Sequence, residues 1–144
     1  MGDALHSLDF RVSYGDCDPA GIIYFGAFHP MMERTYTDWT LLAGLRSDRM
    51  AEEIGAITAS RASSVSYEYS PRVYDAMRCE LRLGVLGTTS YTLRYDFVDP
   101  DRHLRYALAS MTMVTIDPVE RTAVRVPDPL RTALSAAGPA IGME

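Results

Sequence analysis

Leu8-Asp9-Phe10-Arg11-Val12-Ser13-Tyr14 runs into Gly15-Asp16-Cys17-Asp18-Pro19-Ala20-Gly21, and the spacing of the apolar residues changes on the far side of that loop. Before it, Leu8, Phe10, Val12 and Tyr14 alternate with polar residues, the period-two pattern of a strand with one buried face. After it, Phe25, Phe28, Met32, Tyr36, Trp39 and Ala43 recur every three or four residues, which predicts a helix from about Ile23 to Leu42 with a wide apolar face. Pro30 removes a helical hydrogen bond, so a kinked or two-part helix is expected, its main part starting at Pro30. The loop packs two Gly, one Pro and two Asp into seven residues, a composition that breaks regular structure.

Working outward, Gly44 suits a helix C-cap, and a short helix is expected from Ser47 to Ile54 before Gly55. Four long strands follow. Ile57, Ala59, Val65, Tyr67 and Tyr69 share one parity; Met77 to Val85 and Tyr91 to Phe97 alternate cleanly; His103 to Ile116 forms the last strand. Gly87, Asp99-Pro100-Asp101 and Asp117-Pro118 mark turns, and a short helix is expected from Leu130 to Ala137. Short turns between successive strands imply sequential hairpins and an antiparallel sheet, with the one apolar helix covering its inner face. The expected fold is α+β, a long central helix wrapped by a curved antiparallel sheet of about five strands. An exposed sheet edge favours a homo-oligomer.

At 144 residues the chain is the size of one domain, expected to span 1–144 with 1–7 and 140–144 flexible. A net charge of -5 argues against a nucleic-acid partner. No apolar run approaches the roughly 20 residues of a membrane span, and Met1 to Leu8 lacks the basic start and apolar core of a secretory signal, so a cytoplasmic protein with no membrane partner is expected. All 14 basic residues are Arg, which excludes lysine Schiff-base chemistry and a lysine-bearing phosphate loop. Cys17 and Cys79 lack the spacing and partners of a zinc site, so no metal is expected.

Chemistry concentrates in the loop. Asp18 can face an acyl group there while the unpaired N–H groups near Phe25 and Gly26, at a helix start, point at its carbonyl oxygen. The plainer reading has Asp16 and Asp18 satisfying turn N–H groups or capping the helix.

The run from Tyr14 to Ile22 resembles the signature loop of the 4-hydroxybenzoyl-CoA thioesterase family of hotdog-fold proteins, and the element order from about Leu8 to Arg131 is similar to that family's. The resemblance implies that Asp18 is the catalytic carboxylate, acting as nucleophile on the thioester or as general base on water. It implies that the Phe25 backbone N–H polarises the thioester carbonyl and that Gly21 permits close approach of the loop to substrate. In aryl-specific members the position matching Phe25 can be a tyrosine that binds a phenol together with an acidic residue further along the helix. Phe25 departs from that pattern, whereas Glu33 keeps the acidic position. Tyr24, Gly26 and Ser64 complete the expected substrate-binding set, Ser64 because its strand is implied to pass beside the active site. The neighbouring Ser63 and Ser66 are further candidates of that kind; an exposed strand face is the plainer reading of all three.

The resulting expectation is an acyl-CoA thioesterase that hydrolyses an aryl- or medium-chain acyl-CoA, needs no cofactor beyond its CoA substrate, and forms a homodimer or homotetramer. Two alternatives stay open: a thioesterase for acyl chains on a carrier protein, and a non-catalytic acyl-CoA-binding protein. His29 suits a hydratase base but reads more simply as a helix-surface or helix-cap residue. His6 and His103 read as solvated, Cys17 as a small residue packed under Asp18, and Cys79 as core. The arginines from Arg72 to Arg125 offer many phosphate contacts, most of them expected to face solvent.

Overall fold

The structure is a computed structural model and describes residues 3–137. Strand β1 (His6–Arg11) alternates as expected: His6, Leu8 and Phe10 are half-buried, and Ser7, Asp9 and Arg11 are exposed. It begins inside the stretch expected to be flexible, where Leu5 also donates its N–H to the Leu81 carbonyl. It stops three residues short of Tyr14 for a local reason. The Ser13 N–H and hydroxyl both donate to Asp16 Oδ2 (2.9 and 3.0 Å), which winds Tyr14–Asp16 into a 3₁₀ turn and leaves Tyr14 in solvent.

The two-part helix is present with a different division. Residues 22–24 are extended, Phe25–Ala27 form a 3₁₀ turn, and α1 runs from Phe28 to Leu42. Pro30 is the third residue of α1. Its missing N–H falls in the first turn, where no intrahelical acceptor exists, so the proline neither starts nor kinks the helix. α1 buries Phe28, Met31, Met32, Thr35, Tyr36 and Trp39 at helical spacing and ends before Gly44, whose φ of +77° suits glycine. The expected short helix is a 3₁₀ turn (Ser47–Arg49) followed by α2 (Met50–Ile54), ended by Gly55 in the left-handed conformation.

The strands β2 (Ile57–Tyr67), β3 (Ala76–Leu86), β4 (Ser90–Asp99) and β5 (Leu104–Ile116) join β1 in one five-stranded sheet with every pairing antiparallel. His103, expected to open the last strand, instead occupies the turn with φ +53°. The strand order is β1-β3-β4-β5-β2. Sequential hairpins therefore hold for β3-β4-β5 and fail for β2. Alternation shows which residues face the core but says nothing about which strand is the partner, and β2 lies at the far edge against β5. Residues 68–75 must then carry the chain back across the sheet to β3. On the way they are tied down by hydrogen bonds from Glu68 and Tyr69 N–H to the Tyr106 carbonyl and from Ile23 N–H to the Pro71 carbonyl.

The core lies between α1 and the sheet. Phe28 meets Phe97 edge-on at 4.9 Å between ring centroids, and the Tyr36 and Tyr91 hydroxyls, both buried, are 2.6 Å apart. Cys79 is fully buried, as its alternation predicts. The opposite face of β4 is not solvent-facing, so Arg94 departs from the exposure expected of most arginines, whereas Arg72, Arg102, Arg121 and Arg125 are exposed as expected. Arg94 and Asp96 are buried together at 2.9 and 3.0 Å, and Arg82 and Arg105 also reach Asp96. Helix α3 (Asp128–Leu134) starts two residues earlier than expected, because Pro129 fits a first turn, and plants Leu130 and Leu134 in the core. The expected loose end at Ala140–Glu144 lies outside the described residues.

Candidate active site

The loop is closed on itself before it meets any ligand. Cys17 and Ile23 form an isolated antiparallel bridge across its neck. Within it, Asp18 N–H donates to the Ile22 carbonyl (3.0 Å) and Gly21 N–H to the Asp18 carbonyl (2.9 Å). Gly21 has a φ of +80°, a conformation that strains any residue with a Cβ. The Asp18 carboxylate is half-buried. Its Oδ1 accepts the Ala20 N–H at 2.8 Å, which orients the group, and no donor among the described residues takes Oδ2.

The segment that follows supplies donors. Tyr24 N–H is spent on the Asp16 carbonyl (2.7 Å) and Ala27 N–H on the Tyr24 carbonyl (2.9 Å). Between them, the Phe25 and Gly26 amides open the 3₁₀ turn and meet no backbone carbonyl among the described residues. Asp18 and Phe25 line the same pocket, about 310 Å³, with Ile22, Ile23, Phe28 and Tyr67. Tyr69 and Ser70 complete its wall. The Tyr67 ring packs on Phe28 with centroids 5.6 Å apart. A carboxylate, the residue bearing one of the two unclaimed amides, Phe25, and an aromatic wall thus line one cavity.

The other expected site residues are distributed around this pocket. Gly21 shapes the loop. Tyr24 stands outside the cavity, half-exposed, with its ring against Phe25 and over Gly26; a Cβ on Gly26 would lie 2.4 Å from that ring. Glu33 is not beside Asp18. It accepts the Thr37 hydroxyl at 2.6 Å and lines a different hollow with Thr40, Leu41 and Arg46. Ser64 also stays out of the pocket, exposed on β2 and paired with Ser110 across the strands at 2.9 Å, because the twist and bulge of β2 after Ser60 set which residues meet β5. Ser63 pairs with His29 (3.2 Å) on the exposed helix face. The serine on the pocket wall is Ser70.

Of the lining residues only Asp18 and Phe25 were in the expected set; Tyr67, Tyr69 and Ser70 come from a part of the chain that the expected set did not reach. The available signal was Tyr67-Glu68-Tyr69-Ser70-Pro71, aromatic residues continuing a strand parity into a proline turn. His6 is not free in solvent: its Nε2 lies 2.7 Å from Asp38 Oδ2. Burial, with the charges of Asp16, Asp18 and Asp75 nearby, pushes the Cys17 thiol up and so away from the nucleophilic thiolate, and burial pushes Cys79 up to about 12. Among the described residues no three His, Cys, Asp or Glu side chains gather as a metal site would need. No described helix is long and apolar enough to cross a membrane.

No curated protein matches the chain at the sequence level. Solved structures share its fold. A 1,4-dihydroxy-2-naphthoyl-CoA thioesterase from Synechocystis superposes with a TM-score of 0.82 at 20% identity, over 90% of this chain and 94% of that one. A thioesterase-superfamily protein from Jannaschia gives 0.82 at 23% identity, over 93% of each chain. A gentisyl-coenzyme A thioesterase gives 0.74 at 18%, over 89% of this chain and 98% of the other. These likenesses establish the hotdog fold. The family model described as the thioesterase-like superfamily matches residues 12–134, from just after β1 to the end of α3, and so takes in the loop and strands β2 to β5. The chain belongs to the thioesterase-like superfamily.

Proposed function

We propose that this protein hydrolyses an acyl-CoA thioester with an aryl or apolar acyl group, giving the free acid and CoA. The observation that carries the reading is the shared pocket of Asp18 and Phe25, where an oriented carboxylate, a helix-start residue with an unclaimed amide and an aromatic wall line one cavity. The acyl group lies against Phe28, Tyr67 and Tyr69, and its carbonyl oxygen takes the Phe25 N–H. Negative charge grows on that oxygen as the carbonyl carbon becomes tetrahedral, so a fixed donor there stabilises the transition state more than the ground state.

Asp18 then acts in one of two balanced ways. Its Oδ2 takes a proton from water as the water oxygen attacks the carbonyl carbon, and the tetrahedral intermediate collapses with C–S cleavage, the departing thiolate taking up that proton; or Oδ2 attacks directly, the C–S bond breaks, thiolate leaves, and water hydrolyses the mixed anhydride and restores the carboxylate. In both, water is the co-reactant and the thiol and acid are the products. The aromatic lining supports aryl over short polar acyl groups. Phe25 offers no hydroxyl and Glu33 lines a different hollow of the same chain, which supports an acyl group held by apolar and aromatic contact in this pocket.

The edge of β2 is unpaired within the chain, and Tyr67 and Tyr69 are more than half exposed, which supports a homo-oligomer of at least two chains covering the site's rim. The functional test is thiol release from benzoyl-, phenylacetyl- and straight-chain acyl-CoA. Preference for the aryl esters is expected; failure to release thiol from any of them contradicts the reading.

A further inference from the structure

The aromatic pocket has a polar neighbour. Tyr69 and Ser70 belong to both walls, and beyond them lies a polar hollow of about 380 Å³ lined by Arg72, Asp75, Arg102 and Tyr106. Arg72 is anchored to the catalytic loop through its backbone, because it forms an isolated antiparallel bridge with Ile22, the residue whose carbonyl receives the Asp18 N–H. Its guanidinium makes no ion pair among the described residues.

Arg102 is held from behind. Its Nε donates to Asp99 Oδ2 at 2.6 Å and its Nη2 reaches the Tyr106 hydroxyl at 3.5 Å, while Nη1 keeps its donors. The acidic groups nearby are already engaged. Asp99 accepts the Asp101 and Arg102 amides and the Tyr106 hydroxyl as well, and Asp75 accepts the Arg72 N–H. What remains unclaimed is a set of guanidinium N–H donors, one guanidinium already oriented, next to the cavity that would hold the thioester. Planar guanidinium donors match the oxygens of a phosphate.

We propose that this second pocket binds a phosphate of the substrate's thiol arm. The inference rests on the thioesterase reading for the identity of that arm. Thiol carriers of acyl groups present two phosphate chemistries, the 4′-phosphate of phosphopantetheine, which carrier proteins share, and the nucleotide phosphates found only on CoA.

The test compares one benzoyl group on three thiols, CoA, 4′-phosphopantetheine and pantetheine, for the parent, Arg72→Gln, Arg102→Gln and Arg34→Gln. Arg34 lines a separate hollow with Arg11 and Asp16 and serves as the reference for loss of an exposed arginine. For Arg72→Gln the KM for benzoyl-CoA is expected to rise about tenfold, the low end for a lost charge-assisted contact, with no matching rise for benzoyl-pantetheine. A rise shared by phosphopantetheine assigns the 4′-phosphate; one confined to CoA assigns the nucleotide. Equal effects on all three thiols, no effect on any, or an effect of Arg34→Gln in place of Arg72→Gln overturns the proposal. Arg102→Gln also loosens Asp99, so its ratio of KM values across the three thiols is the quantity compared. Calorimetric binding of free CoA to parent and Arg72→Gln reads the subsite without turnover. Weaker binding in the variant supports it even if the thioesterase reading fails, and equal affinity overturns it.

Discussion

The roles proposed for single residues rest on what each atom still has to give. One oxygen of Asp18 is committed to the Ala20 amide and the other has no partner among the described residues, so Asp18→Asn keeps the loop's hydrogen bond and removes only the basic oxygen. Gly21 and Tyr69 test the frame around it. Gly21→Ala places a Cβ at φ +80° with open space around it, so the cost is conformational, about 1 kcal/mol, seen as a lower Tm. No fall in Tm would show that the loop relaxes to another conformation. Tyr69→Ala removes one aromatic wall of the pocket, and the KM for benzoyl-CoA should rise about three- to tenfold relative to that for a straight-chain ester. Equal effects on both esters would remove Tyr69 from acyl recognition. The loop's irregular backbone was legible in the sequence because Gly, Pro and Asp report local backbone demands. That Ser64 and Glu33 lie outside the Asp18 pocket within the chain was not legible, because their positions relative to Asp18 depend on strand register and helix phase, which no local pattern encodes.

Among the elements, α1 sets the site's position, since its preceding 3₁₀ turn presents the Phe25 amide and its first residue, Phe28, is the pin. Phe28 is nearly fully buried between Phe97 and Tyr67, so Phe28→Ala should cost about 3–5 kcal/mol by chemical denaturation, with loss of activity as the turn loosens. A cost below about 1 kcal/mol would mean the core collapses around the gap and the pin role is wrong. The strands and helices were legible from periodicity and turn residues, apart from ends moved by Ser13 in β1, Pro129 in α3 and the left-handed turn at His103 before β5, and from the division of the segment leading into α1. The position of β2 was not. Its placement beside β5 sends residues 68–75 past the loop, and this crossing is what brings Tyr69, Ser70 and Arg72 to the candidate site.

For the molecule as a whole, acid sensitivity should trace to Asp99 more than to surface carboxylates. The Arg102 guanidinium first, then the Asp101 and Arg102 amides and the Tyr106 hydroxyl, hold its carboxyl well below the usual range. Its folded value lies below its unfolded one, so its stabilisation is complete above the ordinary carboxylate pKa of about 4 and is lost as pH falls further. Urea midpoints measured from pH 6 to pH 2 should fall less steeply for Asp99→Asn than for the parent; parallel slopes would contradict this. The same residue links stability to the proposed phosphate pocket through Arg102.

The most direct measurement is thiol release from benzoyl-CoA by the parent and Asp18→Asn side by side, with Tm recorded for both. The parent is expected to turn over, and the variant to fold with a similar Tm while losing about 10²-fold or more in kcat, the loss typical of a removed acid-base or nucleophilic group. A folded variant that keeps the parent's rate would show that the hydrolysis does not run through Asp18.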